Sequence, residues 1–314
     1  MNQKLKKATL LSALGASVFW GGLVLWQKAC FGRGQKNTEE ALFEIYASPF
    51  GDITYTVAGS GQPLLLLHSM LAGTSSEEWA LITTALAEHF HVYAIDLPGF
   101  GNSFSPKKPW TAYQYAQCLH SFIEQIIGRP TFILGSNGGA DLALITALLH
   151  PENIKGLQLI SPEGFSHGFA SNAQTKPLHT LLLPLVGTQQ YLMETTKHKI
   201  KQNLEESFFA KEKITQELID ALHYGARNDP MKQATFAAIK TGFWRADTRQ
   251  AYTKLSVPVQ VFWGEENKTN PIAAMAWAEE ARPHGDYVIF EGVGSYPHWE
   301  NSQAFIEVVK EYLN

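Results

Sequence analysis

The chain has 314 residues, a formal net charge of −4 and a pI near 6.3. It is long enough to bury a sizeable core, and with no basic excess it argues against nucleic acid as a partner. Its two cysteines, Cys30 and Cys118, are too few and too far apart for a disulfide framework or a zinc site.

The N-terminus opens with the basic stretch MNQKLKK, followed by an uncharged run from Ala8 to Gln27. As a helix that run would span about 30 Å, the thickness of a bilayer's hydrocarbon core. Trp20 and Trp26 suit an interfacial end, and Lys28, Arg33 and Lys36 close the segment. The following WQKAC offers no small-x-small cleavage signal, which favours an uncleaved anchor and a membrane location. Three lysines before the run balance three basic residues after it, so orientation stays open.

Beyond the polar linker GRGQKNTEE, strand and helix patterns alternate. LFEIYASPFGDITYTVAGSG reads as a hairpin around Pro49-Phe50-Gly51-Asp52. PLLLLHS is a continuous apolar run, as expected of a strand buried on both faces. A helix is predicted around Glu77 to His89, then the strand HVYAIDLPG, a helix from Tyr113 to Ile127 and the buried strand TFILGS. The helix GGADLALITALLH and the strand IKGLQLIS come next. Between Gly164 and Leu255 every pattern is helical, the mark of an insertion between two core strands. The alternation resumes with VPVQVFWGE, a helix from Pro271 to Arg282, DYVIFEGV and a last helix after Asn301. Such alternation implies a mostly parallel sheet with helices on both faces.

In TFILGSNGGADLAL a buried strand runs through Gly135-Ser136-Asn137-Gly138-Gly139 into a helix. This resembles the nucleophile elbow of the α/β-hydrolase superfamily, with Leu134 where the first glycine is usual. His68-Ser69-Met70 resembles that superfamily's oxyanion loop, and Asp96, Gly99, Gly101 and Ser103 fit its Asp-x-x-Gly-x-Gly-x-Ser signature. The helical insertion falls where cap domains sit, and VPVQVFWGEENKTNP and FEGVGSYPHWE resemble the acid and histidine loops. The resemblance spans about Phe43 to Asn314 and implies an α/β-hydrolase fold with an eight-stranded, mostly parallel sheet. After the anchor and linker read from the N-terminal run (1–40), it divides the chain into a core (41–164 and 256–314) and a helical cap (165–255).

Carried over by position, the resemblance makes Ser136 the nucleophile and the N–H groups of Met70 and Asn137 the oxyanion donors. The acid position is Asn267 and the base position Ser295, neither of which is the residue the pattern requires. A serine hydroxyl needs a base to take its proton. Two rescues suggest themselves: His298 as a displaced base, although a structural role at the start of the last helix fits it better, and Glu163 as an acid supplied after the preceding strand. Glu265 and Glu266 read as turn carboxylates, and His89 and His91 lack a third metal ligand nearby. The expectation is a membrane-anchored serine hydrolase for an apolar ester or acyl substrate, with no cofactor. The rival is a non-catalytic homologue that binds a small apolar ligand or a protein partner.

Overall fold

The computed structural model describes residues 22–31, 43–166 and 175–313. Helix α1 covers 22–30, and the hairpin β1 (Glu44–Ser48) and β2 (Gly51–Ala58) follows. Then come β3 (Gln62–Leu67), α2 (Ala80–Ala87), β4 (Phe90–Ile95), α3 (Ala112–Phe122), β5 (Thr131–Ser136), α4 (Gly138–Leu149), β6 (Ile154–Ile160) and α5 (Glu163–Ser166). The insertion holds α6 (Thr175–Leu182), α7 (Val186–Glu194), α8 (Lys197–Ser207), α9 (Gln216–Arg227) and α10 (Gln233–Thr241). Helix α11 (Thr248–Lys254) packs on α4 and α5 and leads the chain back into the core. The chain ends with β7 (Val259–Gly264), α12 (Ala273–Ala281), β8 (Asp286–Phe290), α13 (Pro297–Glu300) and α14 (Ser302–Leu313).

The eight strands form one sheet in the order β1-β2-β4-β3-β5-β6-β7-β8, parallel from β4 through β8. The apolar run of β3 shows how the layers are made. Leu65 and Leu67 enter the cluster shared with α3, α4 and α12, while Leu64 and Leu66 enter the one shared with α2 and α14. All four are fully buried, because a period-2 backbone sends alternate side chains to opposite faces and both faces are covered. Parallel strands bring their C-terminal ends to one edge, and the loops after β3, β5, β6, β7 and β8 meet there beneath the cap.

The described part of the uncharged N-terminal run lies in α1, and it touches the cap. Gln27 is buried and its Nε2 donates to Leu185 O over 3.0 Å, while the Phe31 ring stacks on Tyr191 at 6.3 Å. No helix among the described residues is long and apolar enough to cross a membrane. The rest of the expected anchor, residues 8–21, lies outside the described residues.

Candidate active site

The sharp bend lies one residue beyond the position expected from sequence. Strand β5 ends at Ser136 and α4 starts at Gly138. The residue between them, Asn137, has φ 49° and ψ −113°. This is sparsely populated backbone, which asparagine enters more readily than most residues. The bend is tight because strand and helix approach closely at both flanks. A Cβ on Gly135 would stand 2.8 Å from the Ala140 backbone, and one on Gly139 would stand 2.4 Å from His68 O. The required glycines therefore lie two residues before and two after Asn137, which occupies the centre of the elbow.

Ser136, expected as the nucleophile, is instead an ordinary strand residue paired with Ile160. It is fully buried, and its Oγ accepts a hydrogen bond from Asn137 Nδ2 at 3.2 Å. The oxyanion assignment moves with the bend. Asn137 N donates to Ile160 O over 2.8 Å and is committed to the sheet edge. Gly138 N, the first N–H of α4, stands at the positive end of the helix and has no intrahelical acceptor. Met70 is at the elbow as expected: a Cβ on Gly138 would come within 2.6 Å of Met70 Cβ and 3.1 Å of the Trp244 ring.

The acid and base positions meet, but through a hydroxyl and an amide. Ser295 Oγ donates to Asn267 Oδ1 over 2.8 Å, and Thr269 Oγ1 lies 2.8 Å from Ser295 Oγ. Asn267 Nδ2 donates to Ser161 Oγ at 3.2 Å, directly after Ile160, whose carbonyl holds Asn137. Neither Asn267 nor Ser295 can take up a serine proton at neutral pH, so this buried cluster is a hydrogen-bonded network and not a proton relay.

His298 does not turn toward the elbow. It is fully buried beside Glu78, with Nε2 3.2 Å from Glu78 Oε1, and its ring lies 4.7 Å from that of Trp79. The other Glu78 oxygen accepts from Ser69 N at 2.8 Å and Ser69 Oγ at 2.7 Å. Burial alone would raise the Glu78 carboxyl, but the bond and charge of His298, the charge of His68 and the Ser69 bond outweigh it and hold it below its ordinary value. Burial pushes the Tyr296 phenol well above its usual range, with the charges of Glu78 and Glu163 adding to the effect and a bond to Ser69 opposing it. Glu78 thus fixes the oxyanion loop against the start of the last helical segment. Sequence reasoning missed Glu78 because its partners lie nine and more than two hundred positions away.

Glu163 opens α5 and pairs with Arg245 of the cap at 2.8 Å, both half-buried. Its neighbour Asp141, buried in the first turn of α4, accepts from Gly164 N at 3.1 Å. Burial and then the Glu163 charge push Asp141 up to about 8, against the helix dipole, so it is largely a neutral acid at neutral pH.

One group among the described residues has metal-ligand composition. His120, His150 and Glu152 bring ligand atoms within 4.8 Å of one another, beside α3 and α4. The imidazoles stack at 3.7 Å and 4°, so their in-plane lone pairs run parallel and do not converge on one point.

Residues 62–302 match the family model described as the alpha/beta hydrolase fold. Pimeloyl-[acyl-carrier protein] methyl ester esterase of Aeromonas hydrophila is 26% identical over 260 residues, 81% of this chain and 96% of that protein. A serine hydrolase involved in carbazole degradation superposes with a TM-score of 0.73 at 20% identity, over 87% of this chain and 98% of that one. A bacterial membrane phospholipase A superposes with a TM-score of 0.70 at 21% identity, over 100% of this chain and 98% of its own.

Proposed function

Because this chain belongs to the α/β hydrolase fold family, we propose that it uses the family's capped site to bind an apolar molecule bearing a carbonyl or carboxylate, without serine–histidine hydrolysis. One observation carries this reading: asparagine, asparagine and serine occupy the elbow, acid and base positions, with Asn267 and Ser295 already hydrogen-bonded to each other. In this reading the backbone N–H groups of Met70 and Gly138 remain as donors, Gly138 N being the first N–H of α4 and the Met70 side chain lying beside Gly138. Such donors bind oxygen whether or not a nucleophile stands beside them. A small cleft at the seam between core and cap, lined by Ala72, Tyr191, Phe236 and Ile239 together with Lys232 and Thr235, is where the rest of the ligand would lie.

A second reading, a hydrolase for an apolar ester or acyl group, draws on relatives named as esterases and lipases, which support hydrolase as the broad class. It requires a nucleophile and a base that the residues just described do not supply. Melting of the protein with a medium-chain fatty acid or its methyl ester, beside turnover of that ester, separates the two. The binding reading expects a raised melting temperature and no turnover. Turnover that disappears in Ser136→Ala establishes the hydrolase reading instead.

We further propose that the N-terminal segment holds the protein at a membrane. The uncharged run leads into α1, where Leu25 is 69% and Trp26 48% exposed. Leu183 and Val186, flanking the Leu185 carbonyl that holds Gln27, are also exposed. Fractionation of the full chain against one lacking residues 1–21 tests this, with the full chain expected in the membrane pellet and the shortened one released.

A further inference from the structure

We propose that Asn137 is a site of covalent self-modification, in which the Asn137–Gly138 pair closes to a cyclic imide and opens again to leave a carboxylate at the centre of the elbow. In the ring closure Gly138 N gives up its proton and forms a bond to Asn137 Cγ. The carboxamide C–N bond breaks, and its nitrogen leaves with that proton as ammonia. Water then adds to one imide carbonyl and breaks a C–N bond. Opening at Cγ gives an aspartate at position 137, and opening at the backbone carbonyl gives its isoaspartyl isomer. The net change is one water taken up and one ammonia released.

Six features of the elbow favour the reaction. This is the only Asn-Gly pair in the chain, so no Cβ on the following residue hinders the attacking nitrogen. At ψ −113° the backbone of Asn137 departs from helical geometry, which would turn the next nitrogen away from the side chain. Gly138 N opens α4, so it has no intrahelical acceptor to surrender before it attacks. The positive end of the helix stabilises both the negative charge that develops on that nitrogen and the carboxylate that results. The strained φ of 49° adds a ground state already raised above ordinary backbone. Asn137 Nδ2, the leaving nitrogen, is held by Ser136 Oγ at 3.2 Å, which fixes the amide's orientation.

The consequence is a change of charge at the heart of the site. The encoded amide is neutral, whereas the product is a carboxylate, a group that repels an anionic ligand and belongs to the nucleophile class. The proposal rests on the bend and not on the ligand reading, and either can fail alone.

The test is to incubate the full folded chain in ¹⁸O-water at neutral pH and map the peptide containing position 137 by mass spectrometry, with a urea-unfolded sample in parallel. The expected result is conversion in the folded chain at a rate equal to or above that of the unfolded one, with one heavy oxygen retained at position 137. Asn137→Gln, which must close a larger ring, should remain unconverted while keeping the parent's circular dichroism. A folded chain that keeps its amide while the unfolded chain loses it would overturn the proposal, as would an intact amide in both. Gly138→Ala is unsuitable as a control because its Cβ would strike Met70.

Discussion

Ser295 Oγ donates to Asn267 Oδ1 across 2.8 Å. The two loops that present an acid and a base in this fold therefore meet in register while carrying neither. The polar atoms are mutually satisfied: Asn267 Oδ1 also accepts from Thr269 Oγ1 and from Asn270 N, and Asn267 Nδ2 donates to Ser161. Each replacement is matched by its neighbours, so the cluster costs the fold little and still holds the loops together.

The contact between His298 and Glu78 is expected to be structural. Removing one partner leaves the other buried and uncompensated, a loss of about 3–5 kcal/mol for such pairs. His298→Ala should lower the urea midpoint strongly. Glu78→Gln combined with His298→Leu should recover part of that loss, because no charge is stranded and the carboxamide oxygen can still accept from Ser69. If His298→Ala unfolds at the parent's urea midpoint, the structural role is wrong.

Asp141 makes stability depend on pH in a defined direction. Its carboxyl is pushed up to about 8 in the folded chain, from an ordinary value of 3.8. Between those values the folded state holds a proton that the unfolded state has released, so stability falls as pH rises across the window. The groups facing it are Glu163, Gly164 N, Arg245 and Thr248. Asp141→Asn can keep the bond from Gly164 N and removes the titration. Its gain in unfolding free energy over the parent should grow from about pH 4 to about pH 8 and then level off. A gain that does not vary with pH would contradict the assignment.

Lys232 fastens the cap to the core. Its buried Nζ donates to Gly101 O, Gly225 O and Asn228 Oδ1, each at 2.6 Å. Lys232→Met keeps the bulk and strands those acceptors, each at a cost of about 1–3 kcal/mol where water cannot reach. Hydrogen exchange should quicken in α9 and α10 while β3 and β5 stay protected. Unchanged exchange in α9 and α10 would remove the clamp.

Much of the fold was legible before the structure because it rests on local pattern. The run Leu64–Leu67 could satisfy only a strand covered on both faces, and the glycines and Pro49 marked the hairpin. The placement of the elbow was not, for a physical reason. Gly135-Ser136-Asn137-Gly138-Gly139 reads in two registers, and the presence of a serine draws attention to the wrong one. The legible signal was the symmetric placement of Gly135 and Gly139 about Asn137, since close approach at both flanks is what the turn requires. The engagement of His298 with Glu78 could not be read at all, because it joins segments whose proximity only the folded sheet creates.

Ser136→Ala should change little. The hydroxyl accepts one bond, from Asn137 Nδ2, so its loss is expected to cost about 1 kcal/mol and to leave ligand binding intact. Isothermal titration beside a melting curve checks both, and loss of ligand binding in folded Ser136→Ala would contradict the placement.

The most direct measurement is labelling by a serine-directed fluorophosphonate probe, applied to the native chain and to a variant carrying Asn137→Ser, Asn267→Asp and Ser295→His together. The account predicts an unlabelled native chain and a variant labelled at position 137, since the bend and the meeting of the two loops are already in place. Labelling of the native chain at Ser136 would contradict it.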